Sequence, residues 1–220
     1  MTIKAIIFDF DGVIAESMNM KADAFAHVFR GQPEDIMQKI ITLHLNQGGL
    51  SRYEKFRIIY RDYLNKSLDK HEEERLGQEF GDFCFEKSIK VPYVNGVEDF
   101  IKNNYQNYMF FIASGTPHKE INKVIDGREL RKFFRGVWGS PRSKGELTKM
   151  ILKEYNLKKD EVVFVGDAPT DYQGAKEAGV KFIARIPPKG HNPFQSDEFK
   201  IDYKIEDLTT LNERLKEIDS

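Results

Sequence analysis

Two aspartates one residue apart close an apolar run: Ala5-Ile6-Ile7-Phe8 leads directly into Asp9-Phe10-Asp11-Gly12. A buried strand has no structural need for a pair of carboxylates at its end. Their charges repel each other and lose hydration unless something positive lies between them. A divalent cation answers that need, and oxygen ligands at a strand's carboxyl end suit Mg2+. Gly12 permits a sharp turn or the close approach of a ligand to the backbone. A second acidic pair, Asp167 and Asp171 in Gly166-Asp167-Ala168-Pro169-Thr170-Asp171, follows another apolar run at 161–165. Ser114-Gly115-Thr116 follows a third at 108–113, and the polar stretch 139–146 carries two cations, Arg142 and Lys144.

These residues sit where apolar runs stop. The run Ala5–Phe8 reads as a strand of a parallel sheet buried on both faces, because it is continuously apolar. Runs at 108–113, 161–165 and 180–185 have the same character, and short strands are expected near 136–139 and 201–205. Helical patterns follow the first three main strands, which predicts a doubly wound α/β sheet. Such sheets bind ligands at the carboxyl ends of their strands.

More than ninety residues separate the first strand from the second, too many for one crossover helix. Residues 17–88 are helical in pattern. Phe25, Val28 and Phe29 share one face; Tyr53, Phe56, Ile59, Tyr60 and Tyr63 share another. Leu76, Phe80, Phe83 and Cys84 belong to a charged helix over 68–87. Pro33 opens a helix, and Ser51 is an N-cap after the Gly48-Gly49-Leu50 turn. Residues 89–95 read as the return. The expected organisation is a core of residues 1–16 and 89–220 with an all-helical insert, 17–88.

At 220 residues the chain has room for one sizeable domain with an insert. Its net charge of -1 removes the bulk electrostatic argument for nucleic acid. A single cysteine, Cys84, excludes an internal disulfide and a cysteine-rich zinc site. The five histidines share no metal-ligand spacing. No apolar stretch approaches the ~18 residues of a membrane span, and the first strand starts at once, so a cytoplasmic location is expected.

The four motifs in this order resemble those of the haloacid dehalogenase-like (HAD) superfamily: Asp9-x-Asp11-Gly12, Ser114 after a strand, Lys144, and Gly166-Asp167-x3-Asp171. The resemblance spans essentially the whole chain. It implies a Rossmann-like core with a helical cap inserted after the first strand, and Mg2+-dependent phosphatase chemistry on a small phosphorylated metabolite. It makes Asp9 the nucleophile that forms an aspartyl-phosphate and Asp11 the general acid/base. Dehalogenases and phosphonatases of the superfamily lack this second aspartate, so Asp11 argues against both. Ser114, with Gly12, Gly115 and Thr116, is expected to hold phosphoryl oxygens; an ST-turn is the plain alternative for Ser114. Lys144, in a loop before a helix, would offset charge, with Arg142 its rival. Asp9, the main-chain carbonyl of Asp11 and Asp167 would bind the metal. Asp171 would ligate through water, orient Lys144 or merely cap its helix.

The insert is similar to the caps of phosphoglycolate phosphatases and β-phosphoglucomutases. Gly49-Leu50-Ser51-Arg52 matches the mutase segment whose arginine contacts a distal phosphate, so Arg52, with Lys55 nearby, is a candidate for substrate binding; an exposed arginine opening a helix is the rival reading. Lys21 stands where the mutase has a hinge histidine, and Gly166 where it has an acidic residue. Both departures favour a phosphatase over a mutase, and intact aspartates disfavour a non-catalytic binding protein. The chain is expected to be a monomer or homodimer. The insert's aromatics read as the cap's own core, Trp138 as a packing residue, and Lys189-Gly190-His191-Asn192-Pro193 as a rim loop.

Overall fold

The computed structural model describes residues 2–188, 192–196 and 198–219. Six parallel strands form one sheet in the order β3-β2-β1-β4-β5-β6. They are β1 (Ala5–Phe8), β2 (Met109–Pro117), β3 (Phe134–Ser140), β4 (Val162–Gly166), β5 (Lys181–Arg185) and β6 (Tyr203–Ile205).

β1 lies between β2 and β4, which accounts for its unbroken apolar sequence. Its side chains alternate between two separate cores. Ile6 and Phe8 pack with α5 (Val97–Asn104), α6 (His118–Gly127) and α9 (Leu211–Asp219) on one face. Ala5 and Ile7 pack with α7 (Lys144–Glu154) and α8 (Pro169–Ala178) on the other. Both faces are therefore covered by helices, as the sequence pattern requires. The two weakly marked strands exist. β3 is longer than expected and forms one edge, where Trp138 packs as predicted against Phe111.

The helical insert comprises α1 (Met18–Val28), α2 (Glu34–Asn46), α3 (Arg52–Ile58) and α4 (Lys70–Lys90). A π-helical turn, Ile59–Tyr63, prolongs α3. Its own apolar cluster is separate from the two sheet cores. Phe25 meets Phe80 and Phe56 edge-on, at ring separations of 4.9 and 5.9 Å. The aromatics of the insert thus fill its own interior. Ser51 caps α3 with a reciprocal pair to Glu54, as the sequence suggests. α4 runs to Lys90, past the expected boundary at 88. The chain crosses between core and cap twice. Short backbone pairings tie these crossings together: Ala15 bridges Tyr93, and the Glu16 N–H donates to the Pro92 carbonyl at 2.9 Å. No helix among the described residues is long and apolar enough to cross a membrane.

Candidate active site

The carboxyl ends of β1, β2 and β4 converge where strand order reverses, the position at which open α/β sheets bind ligands. Asp9 leaves β1 there, 2% exposed. Its Oδ1 accepts from the Phe10 N–H at 2.7 Å and its Oδ2 from Lys144 Nζ at 2.8 Å. Lys144 also donates to Asp171 Oδ1. Lys144 is not in a loop: it is the first residue of α7, because Ser143 and Glu146 cap that helix reciprocally. The cap fixes the helix start, and the helix start aims the ammonium at Asp9. Arg142 is exposed, with the Met150 sulfur as its neighbour, so the geometry brings Lys144 and not Arg142 to the aspartates.

Asp171 is fully buried in the first turn of α8. Its Oδ2 accepts from the N–H groups of Asp167 and Ala168, at 3.2 and 2.9 Å. Asp171 thus contacts both the start of its own helix and Lys144, and both its oxygens are engaged. Asp167 differs. Among the described residues its carboxylate accepts no hydrogen bond and joins no ion pair. It lies against Gly12, whose φ is +77°; a Cβ there would fall 1.9 Å from Asp167 Oδ2. Carboxylate oxygens of Asp9, Asp167 and Asp171 lie within 4.8 Å of one another.

Burial pushes Asp9 up to about 7, with Asp171 and Asp11 adding to it and Lys144 opposing. Burial, then Asp9 and Asp171, raises Asp167 well above the usual carboxylate range. Burial likewise raises Asp171 against the pull of Lys144. Burial alone would lower Lys144, but Asp171 and Asp9 outweigh it and hold the ammonium above its ordinary value. One lysine is too little positive charge for three carboxylates. The donor set is all oxygen, compact and short of positive charge, which fits a hard divalent cation such as Mg2+.

Asp11 has a different environment from Asp9, although only one residue intervenes. Its Oδ1 accepts from Ser17 Oγ at 2.5 Å, and its Oδ2 from Lys21 Nζ and from Thr116 Oγ1 at 3.0 Å. Burial would raise it, but Lys21, Ser17 and Thr116 together bring it below the usual carboxylate range. Its carboxylate therefore stands outside the acidic cluster. Ser114 is buried at the end of β2, and its Oγ accepts from the Thr116 N–H at 3.1 Å, the ST-turn geometry. β2 extends through Ser114-Gly115-Thr116, with a register shift against β3 between Ser114 and Pro117. Gly115 and Thr116 line the cavity between core and cap, as do Asp9 and Asp11.

The cap supplies Lys21, His44, Arg52 and Lys55 to the same cavity. Arg52 is 7% exposed, not a solvated helix end. It donates to the Gly77 carbonyl at 3.0 Å and to Glu120 of α6, and lies 4.9 Å over the Phe80 ring. Its charge is thus already matched by a core carboxylate. Lys55 is buried too, and burial, with Lys21 nearby, pulls it down to about 7.

Sequence reasoning missed the contacts of Lys21, Ser17, His44, Glu120 and Arg185. Ser17 and Lys21 were visible as an i, i+4 pair on one helix face. Arg185 was not: its guanidinium crosses from β5 to Glu16 at 2.6 Å and to the Gly12 carbonyl at 3.2 Å, anchoring the entry to the cap. Of the expected rim loop, Lys189, Gly190 and His191 lie outside the described residues.

The sequence over residues 6–185 matches the family model for haloacid dehalogenase-like hydrolases. No curated protein matches the chain significantly. Several solved structures share its fold. A predicted phosphoglycolate phosphatase from Haemophilus somnus is 17% identical, covering 97% of this chain and 98% of its own, with a TM-score of 0.76. CbbY from Rhodobacter sphaeroides in complex with phosphate is 15% identical, covering 96% of each chain, with a TM-score of 0.76. YfnB from Bacillus subtilis, bound to magnesium, is 18% identical, covering 98% and 100%, with a TM-score of 0.73. The family match spans most of the chain and agrees with the strand order, the cap insertion and the clustered aspartates, so this protein belongs to the haloacid dehalogenase-like hydrolases.

Proposed function

We propose that this hydrolase is a Mg2+-dependent phosphatase of small phosphorylated metabolites, working through an aspartyl-phosphate on Asp9. The observation that carries this reading is the separation of Asp9 from Asp11. Asp9 faces Lys144 and the acidic cluster, while Asp11 faces hydroxyls and Lys21.

Asp9 attacks phosphorus while Lys144 offsets charge on the carboxylate and on the arriving phosphoryl oxygens. The hydroxyl of Ser114 and the main chain at Gly115 and Thr116 hold those oxygens. Asp11 protonates the leaving oxygen and later takes a proton from the water that attacks the intermediate. In the ligand-free protein Asp11 is held ionised, so the arriving negative phosphate has to raise its pKa before it acts as an acid. The metal would be held by Asp9, Asp167 and the Asp11 main-chain carbonyl, with Asp171 orienting Lys144. Bound there, Mg2+ supplies positive charge against the carboxylates and the phosphoryl group. The cap, residues 17–88, excludes bulk water from the cavity.

The test is phosphate release from a panel of phosphoglycolate, sugar phosphates and nucleotides, with Mg2+ and with chelator. Turnover is expected with Mg2+ only, and Asp9→Asn is expected to lower it by about a thousandfold or more. Metal-independent release, or full activity in Asp9→Asn, would overturn the reading. An isomerised sugar phosphate without free phosphate would replace it with phosphosugar transfer.

A further inference from the structure

Three cap-derived cations line the cavity, and they are not equivalent. Lys21 is committed to Asp11 and Thr116, and Arg52 to Glu120 and the Gly77 carbonyl. Lys55 is 3% exposed, and its one polar partner among the described residues is His44 Nδ1, at 3.1 Å. The other nitrogen of His44 faces the Met18 carbonyl at 3.1 Å. A carbonyl only accepts, so Nε2 carries the hydrogen and Nδ1 is a bare acceptor. His44 is itself 2% exposed, and burial and Lys55 keep it neutral. An ammonium has three donors; one goes to His44, and two have no partner among the described residues. A buried cation with open donors in a ligand cavity is an incomplete site.

We propose that Lys55, held by His44, is the subsite for a carboxylate at the far end of the substrate, so that the enzyme acts on phosphate monoesters of small carboxylic acids. This deepens the phosphatase reading and rests on it. The charge arithmetic favours a carboxylate. Protonated as the anion arrives, Lys55 brings one uncommitted positive charge with two open donors, which matches one monoanion with two oxygens, whereas a second phosphate brings more charge than a single lysine offsets. His44 supplies no second cation, and Arg52 is already neutralised. Phe25, Phe80, Leu50 and Met18 around the cavity suit a short carbon chain better than a ring of hydroxyls. Arg52, the residue that the resemblance singles out, then serves to tie cap to core through Glu120.

The test separates binding from turnover. Phosphonoacetate, 3-phosphonopropionate and 4-phosphonobutyrate are titrated calorimetrically into the Mg2+-loaded protein, each beside the alkylphosphonate in which methyl replaces the carboxylate. Wild type is expected to bind at least one acid about tenfold or more tightly than its partner, as befits a charge-assisted pair. In Lys55→Met and Lys55→Gln, each checked for folding by its melting curve, that ratio falls to about one. In Arg52→Gln the ratio survives. Equal binding of every pair by wild type, no binding at all, or a ratio that persists in both Lys55 variants would overturn the subsite. A bisphosphonate preferred over all the acids would also overturn it. An intact ratio without phosphate release from the matching esters would leave the subsite standing and sink the phosphatase reading.

Discussion

The two sides of the active-site cavity are built in opposite ways. The core side packs four carboxylates, Asp9, Asp11, Asp167 and Asp171, around Lys144 and the incoming Lys21. The cap side buries Lys55 against a neutral histidine, with no carboxylate paired to it among the described residues. The first is short of positive charge and the second of negative charge. Each is a strained arrangement that a ligand of the right sign relieves. Burial without full pairing is unfavourable for the bare fold, and that is how buried binding sites differ from buried structural ion pairs.

Removing a lysine from each side should therefore shift stability in opposite directions, and this is the largest effect expected. Lys144→Met leaves Asp9 and Asp171 buried with less compensation, and should destabilise the metal-free protein by about 3–5 kcal/mol. Lys55→Met replaces a poorly satisfied buried amine by an apolar chain of similar length, and should stabilise it by about 1–3 kcal/mol. Urea unfolding of the two variants beside wild type, in chelator, reads both signs. A loss of stability in Lys55→Met comparable to that in Lys144→Met would erase the contrast between the two sides.

The core side was far easier to read from the sequence than the cap side. Asp9, Asp11, Asp167 and Asp171 end or follow apolar strands, and a strand's carboxyl end fixes where a side chain goes. Lys144 was placed only by the family resemblance, in a loop and with Arg142 as its rival; the Ser143–Glu146 cap makes it the first residue of α7. Cap residues lack such a rule. Arg52 read as a substrate-binding arginine with a solvated helix end as its rival, yet its carboxylate partner, Glu120, lies 68 positions away. His44 looked like one of five unrelated histidines until helix packing set it beside Lys55, 11 positions on. Strand-end motifs encode chemistry locally; a helical cap encodes it in packing, which one sequence does not display.

The contact between the two sides offers a second way to sharpen the comparison. Gly115, at the end of β2, faces the carbonyl of Gly49 in the cap; a Cβ on Gly115 would fall 2.7 Å from that oxygen. Gly115→Ala should hold the cap off the core without disturbing either interior. KM should rise by about tenfold, with melting temperature within a few degrees of wild type. An unchanged KM would mean that cap and core need not meet this closely during turnover.

The smallest effect expected is also the one that separates the two sides by sign. Asp9 has its pKa raised to about 7, so between about 4 and 7 the folded, metal-free protein holds a proton that the unfolded chain has released. Stability contributed by this group therefore falls as pH rises through that window. Lys55 has its pKa lowered to about 7, so between about 7 and 10.5 the unfolded chain holds a proton that the folded protein has released. Its contribution rises with pH through that window. Together the two groups place a minimum in the stability of the metal-free, substrate-free protein near neutral pH, with stability rising by on the order of 1 kcal/mol per pH unit into either flank. Mg2+ should flatten the acidic flank, because a cation among the carboxylates removes the reason for Asp9 to keep its proton. Lys55→Met should flatten only the basic flank. Unfolding free energies from pH 5 to 9, with chelator and with Mg2+, distinguish these cases. If Mg2+ flattened both flanks alike, the lysine would be responding to the acidic cluster, and the two sides of the cavity would form one electrostatic unit instead of two opposed ones.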